Sequence, residues 1–241
     1  MKYQYLLTVV LLITSSNVTA AIIYESATLG TTGIPREDVS SQIVPGANIN
    51  PYVFQGVRFE LTQNVVTTSI GGHFVGPYSE ADTVFGAIVA LEGPTDFPNS
   101  NDLSTPDVLG TTLITVPLLS DDVYGDLELN LAPGWYALVF GSGLFEAEGR
   151  GAAVLNNTEV AIPAYIGRQL GTEWYDLRNT GGREGLVNFR FTLNGTVVPE
   201  PSTQMLLAGF FIALVMHCTL ERRFNSNTVG YPLSNTSLKE T

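Results

Sequence analysis

The sequence predicts an all-β protein: a two-sheet β-sandwich of jelly-roll type, with an N-terminal signal peptide before it and one C-terminal transmembrane helix after it. Three observations carry this. Apolar residues recur at every second position in many short runs, as on one face of a half-buried strand. Clusters of Gly, Pro, Asn and Asp separate those runs. Nothing with a sustained helical period is interleaved, which points away from an alternating α/β fold and toward stacked antiparallel sheets.

The elements follow in chain order. Lys2 precedes an apolar run from Leu6 to Ile13, then a polar patch and Val18-Thr19-Ala20. A basic start, a short apolar core and small residues at the end read as a signal peptide over residues 1–20, cleaved after Ala20 or Ala21; the run is too short to cross a bilayer. Residues 21–197 then form one ectodomain, long enough to bury its own core. Within it Val57, Phe59 and Leu61 alternate, as do Leu127, Leu129 and Leu131, and Val187, Phe189, Phe191 and Leu193. The runs TVFGAIVAL from Thr83 and GTTLITVPLL from Gly110 are more continuously apolar and β-branched, as strands buried on both faces are. In LNLAPGWYALVFGSG from Leu129, Pro133-Gly134 reads as a hairpin turn, and the returning arm is apolar on both faces, as a central strand would be. About nine or ten strands result.

Composition narrows the chemistry. Between Ala21 and Pro199 there are seven arginines, no lysine and 20 acidic residues, a balance of −13. Such a surface repels nucleic acid and anionic lipid. The only cysteine, Cys218, lies in the C-terminal apolar run, so no disulfide can staple the ectodomain and packing must hold it. Nucleophilic catalysis needs a base beside its nucleophile, and His73 is the only histidine of the ectodomain. Ser142, between Gly141 and Gly143, lacks the G-x-S-x-G setting of a nucleophile turn. No zinc site of the common kinds can be assembled from these residues.

Two looser possibilities stay open. Asp96, Asn99, Asn101, Asp102 and Asp107 crowd one loop, and Asp121, Asp122 and Asp126 another; calcium takes such oxygen ligands, although neither loop has the spacing of a calcium motif. No cofactor is therefore expected, with calcium as the alternative. Trp174 and Tyr175, in GTEWYDLR, are candidate glycan contacts, because an exposed ring can stack on a pyranose face while Asp176 and Arg178 bond hydroxyls. Packing of Trp174 in the core is the competing reading. The 20 acidic residues offer many pairs for glycoside hydrolysis, but none in a recognisable setting. Sequons at Asn156 and Asn194 are too short to weigh much.

The C-terminus is more telling. Residues 202–220 carry no formal charge and as a helix would span roughly 28 Å, close to a hydrocarbon core. Arg222 and Arg223 follow, and basic residues hold the adjoining helix end in the cytoplasm, which agrees with an exported body. Pro199 and Pro201 then lie just outside, where proline fixes φ and removes backbone donors, leaving an extended, unpaired strip that a processing enzyme can bind.

The order Val198-Pro199-Glu200-Pro201-Ser202, an apolar segment with Gly209, Phe210 and Phe211, and then Arg222-Arg223 resembles the PEP-CTERM protein-sorting domain of exopolysaccharide-producing bacteria. The resemblance spans residues 198–223; residues 224–241 form a polar tail longer than such domains usually carry, expected in the cytoplasm. It implies that a membrane-embedded exosortase recognises Pro199, Glu200 and Pro201, with Arg222 and Arg223 as the topology anchor and none of these catalytic in this chain. With the two targeting segments and no catalytic constellation, the expected protein is noncatalytic, anchored first in the inner membrane, then displayed or released as a surface or matrix component of exopolysaccharide and biofilm. The alternative is a carbohydrate-binding module at the cell surface, and a polysaccharide hydrolase is the third reading.

Overall fold

The computed structural model describes residues 20–39, 46–77, 82–157, 164–177 and 188–198, together with Gly209. Its contacts divide the chain into two units, residues 1–198 and 199–241, and every described strand lies in the first.

Two antiparallel sheets build that unit. In the first sheet β4 (Val65–Val75) is central. On one side it pairs with β13 (Phe191–Val197) and, at its far end, with β10 (Gly151–Val154); β1 (Ala21–Glu25) and β2 (Gly46–Ile49) lie outside these. On the other side β4 pairs with β7 (Asp121–Asp126) and β8 (Asn130–Leu131). The second sheet runs in the order β12 (Tyr175–Asp176), β11 (Ala164–Gln169), β3 (Val53–Leu61), β9 (Gly134–Gly141), β5 (Asp82–Leu91), β6 (Val108–Val116). The only helical element among the described residues of this unit is the four-residue α1 (Arg36–Val39). The expected all-β, two-sheet sandwich is therefore the observed architecture.

The alternating residues place the core. Val57, Phe59 and Leu61 of β3, Tyr136, Leu138 and Phe140 of β9, and Val84 and Ile88 of β5 meet Val65, Ile70 and Phe74 of β4 and Phe191 and Leu193 of β13 between the sheets. Aromatic pairs bridge them: Phe140 stacks on Phe191, and Tyr24 on Phe59, each at 4.7 Å between ring centroids. Each fully buried side chain of this size contributes about 1.5–3 kcal/mol. With no disulfide possible, this layer holds the sheets together.

Two expected elements form differently. The arms either side of Pro133-Gly134 do not pair: β8 joins β4 in the first sheet, and β9 lies between β3 and β5 in the second. The turn is a corner that passes the chain between layers. Most of the Leu127–Leu131 arm is also off the ladder. The β4–β13 register skips Thr68, and the Thr67 hydroxyl at that bulge donates to Leu127 O (2.5 Å) and accepts from Leu129 N–H (2.9 Å), strapping the arm down instead.

The same corner closes one side of the sandwich. A Cβ on Gly125 would lie 2.7 Å from Leu113 O, and one on Gly110 3.1 Å from methyls of both Leu127 and Leu129. β6, an uncharged strand paired with β5 alone among the described strands, thus has its outer edge covered by β7 and the strapped arm rather than left open to another chain.

Candidate functional site

The described residues place functional side chains on the two outer faces and at one end of the sandwich. On the outer face of the first sheet, Arg190, His73 and Asp122 occupy one cross-strand row, with His73 of β4 in the middle. Arg190 is buried and donates through Nε to Asp122 Oδ2 (3.0 Å), through Nη1 to Ala27 O (3.0 Å), and through Nη1 to Glu25. Burial alone would lower the guanidinium's pKa, but Asp122 and Glu25 outweigh it and the net shift is upward. Tyr124 donates its hydroxyl to Asp122 Oδ2 (2.9 Å); burial, and then that carboxylate, push its pKa up. A Cβ on Gly71, the neighbouring outward position of β4, would collide with Val123 O and the Tyr124 ring, so only glycine lets β7 lie this close.

His73 is fully buried. Its Nδ1 lies 2.6 Å from Asn156 Oδ1. Asn156 also accepts from Gly30 N–H (2.9 Å) and donates to Val154 O (2.7 Å), which fixes its amide and makes Nδ1 the protonated ring nitrogen. Among the described residues Nε2 has no hydrogen-bond partner. Ser142 donates to Ala147 O (3.0 Å) at the end of β9, in the other sheet, so serine and histidine form no dyad. With its side chain committed on three sides, Asn156 is not presented as a glycosylation acceptor; Asn194 donates to Ser69 Oγ (3.1 Å).

The outer face of the second sheet is apolar. Phe54, Phe85, Ala137, Val139 and Ile166 form a second core beneath Leu103, Ala147 and Trp174 from the loops. Of the two readings of Trp174, packing in the core is the one its surroundings match. Trp174 is 8% exposed, tilted against Phe54 with centroids 6.3 Å apart, and donates its indole N–H to Ser100 O (3.1 Å). The loop before β6 folds over it, so its ring is no platform for a sugar. Tyr175 is half-buried, and that burial raises its pKa. Its neighbour Asp176 pairs with the buried Arg58, whose guanidinium also donates to Asp96 O (3.1 Å) and lies 4.9 Å from the Phe97 centroid. Arg178 lies outside the described residues.

The acidic loops are turned inward on themselves. Asp96 accepts from Glu92 N–H, Asp107 from Asn99 N–H, and Asp102 from both the N–H and the hydroxyl of Ser104, contacts that lower the pKa of Asp102. Asp121 accepts from Asp122 N–H, and Asp122 is held by Arg190. Among the described residues no group of three or more His, Cys, Asp or Glu side chains is placed to hold a metal ion.

Pro199, Glu200, Pro201, Arg222 and Arg223, like the expected signal peptide and the span at 202–220, lie outside the described residues. Among the described residues no helix is long and apolar enough to cross a membrane. What the sequence reading missed is the end of the sandwich that holds the start of β3 and the end of β9. There, among the described residues, Tyr52 and Phe145 are exposed aromatics, and Leu170 stands between elements at the same pole. The signal for Tyr52 was legible: an aromatic directly after Asn50-Pro51, inside a turn cluster. Comparisons of the chain with protein-family models, with curated proteins and with solved structures find no match.

Proposed function

We propose that this chain is a noncatalytic exported protein of the cell envelope and extracellular matrix, carried to the membrane by its C-terminal segment, processed there by an exosortase, and associated with exopolysaccharide. The observation that carries the reading is where the sandwich ends. β13 closes at Val197, the Val198 N–H donates to Asn64 O (2.8 Å), and Pro199 follows at once. The last described ladder thus runs to Val197, immediately before the Pro-Glu-Pro strip in the sequence.

The other junction agrees with it. β1 begins at Ala21, beside the expected signal cleavage, and Ala21 lies opposite Gly195 of β13. Both junctions thus leave the sandwich at one pole. The strand order β1-β13-β4-β7 facing β3-β9-β5-β6 supports the jelly-roll form of the sandwich, a scaffold that commonly carries binding loops at its ends. The separation of His73 from Ser142, each bonded to a structural partner, supports the noncatalytic part.

Intact-mass analysis of the protein recovered from cells and from medium tests the reading. It expects an N-terminus at Ala21 or Ile22 and a C-terminus near Pro199–Pro201 in the released fraction. A mass that includes Thr241 in every fraction would overturn the processing and leave a permanently anchored protein.

A further inference from the structure

We propose that the pole of the sandwich opposite both chain junctions is a binding surface for a neutral polysaccharide, with Tyr52 and Phe145 supplying the stacking rings. The inference rests on the matrix reading above for the class of ligand, but its geometry stands on the fold alone. β3 runs between the poles, and its eight residue steps separate them by roughly 27 Å. Val197 pairs with Val65 at the start of β4, which fixes the junction pole; the start of β3, the end of β9, the end of β11 and the end of β6 define the other.

Loops from both sheets gather at that far pole and touch. Leu170 N–H donates to Tyr52 O at 2.7 Å, and a Cβ on Gly143 would lie 2.8 Å from Pro51 Cβ, so the loops before β3, after β9 and after β11 form one surface. At the same pole, beyond β5, Pro117–Ser120 is tied down by Gly76 N–H to Pro117 O at 2.6 Å. The tips leave large apolar side chains uncovered: Tyr52 is 56% exposed, Leu170 63% and Phe145 37%, with Leu118 and Leu119 also exposed. Such concentration at one place marks an interaction surface rather than scattered surface residues.

Phe145 is held there against a local cost. It and Glu146 are consecutive non-glycine residues in the left-handed region, at φ 53° and 65°, each costing of order 1–2 kcal/mol. Phe145 meets Phe85 edge to face, with centroids 5.2 Å apart and the planes at 87°, so the strained loop pins one side of the ring to the apolar outer core and leaves the rest at the surface.

Charge selects the ligand. The exposed ionisable residues at these tips include Glu146, Glu148 and Glu173 against Arg150, and the ectodomain as a whole is at −13, so polyanions are repelled. A peptide adding to a sheet would need a free strand edge, and the pole presents loops. A neutral pyranose chain fits: its apolar C–H faces match exposed aromatic rings, and the exposed Gln169, Thr172 and Arg150 around them can bond its hydroxyls. This surface takes the place of the buried Trp174.

The test uses the full chain in detergent micelles, measured for retention on immobilised neutral glucan, galactan and mannan, on alginate as the polyanion, and for self-association by sedimentation. Retention is expected on at least one neutral glycan and not on alginate. Tyr52→Ala and Phe145→Leu should each weaken it several-fold to about tenfold, the range expected for losing one aromatic contact. Leu113→Ser, on the side of the sandwich, should leave it unchanged. No retention on any neutral glycan, equal retention by both ring variants, or preference for alginate would overturn the proposal. So would a dimer abolished by Tyr52→Ala, which would assign the pole to a second copy of the chain. Processed protein without retention would sink this inference alone, whereas retention by a chain that always keeps Thr241 would sink only the processing.

Discussion

The two sheets cover their outer faces chiefly by different means, although Arg58 and Asp176 pair on the second and Val75, Ala152 and Val154 cluster on the first. The first uses charge: Arg190 reaches from beside β13 to Asp122 on β7 and to Glu25 on β1, joining strands on both sides of β4. The second uses apolar burial: loops carrying Leu103, Ala147 and Trp174 press onto Phe54, Phe85 and Val139. The difference follows from what each strand presents outward. β5 and β9 are central strands with apolar residues on both faces and need a lid; β4 presents His73 and Gly71 outward and needs polar partners. A buried ion cluster is specific about geometry but gains little net stability, whereas an apolar lid gains stability and tolerates variation.

Substitutions can break this contrast in graded steps. The largest effect is expected at the apolar lid, where Phe54→Ala should cost about 3–5 kcal/mol in urea unfolding through lost transfer energy and a cavity. On the charged face Arg190→Ala should cost about 3 kcal/mol, because it leaves the Glu25 and Asp122 carboxylates without their shared partner. The sharper comparison is the triple change Arg190→Met, Glu25→Gln and Asp122→Asn. It should recover most of that loss, and if it does not, the ion cluster contributes net stability as the lid does. Asn156→Ala strands the His73 Nδ1–H and the Gly30 N–H and should cost about 1–3 kcal/mol. A loss well below that range would mean water replaces the amide.

The smallest expected effect is with pH. Burial raises the pKa of Tyr124, Tyr136 and Tyr175, while the unfolded chain ionises its tyrosines near about 10. The neutral phenols are thus favoured in the fold, and their contribution is fully present below that value and is lost as pH rises through the raised native values. Thermal melting followed from neutral pH upward should show stability falling above about pH 10. Tyr124→Phe should remove only the share belonging to the charged face.

How much of this was legible in the sequence depended on the range of the interaction concerned. β3, β5, β6 and β9 are long runs whose own periodicity shows strand and face, and the central position of β9 followed from its two apolar faces. Pairing is not local: the Pro133-Gly134 turn looks like a hairpin because a turn signal carries no information about which strand each arm will join. The Trp174 burial depends on a loop some 70 residues earlier, at Ser100. Arg190, His73 and Asp122 meet only through register across three strands, so single polar residues in three separate segments gave no pattern to read. The far pole was hidden in the same way, since Tyr52, Phe145 and Leu170 come from three loops.

The position of β13 also has a mechanical meaning. It lies between β1 and β4, antiparallel to both, and leaves the sandwich from its free end at Val198. A pull between that end and a load held at the opposite pole acts along the strand. Both flanking ladders are then strained together in shear instead of opening one bond at a time, which slows forced unfolding. The strand through which the domain would be tethered is the one its neighbours grip from both sides.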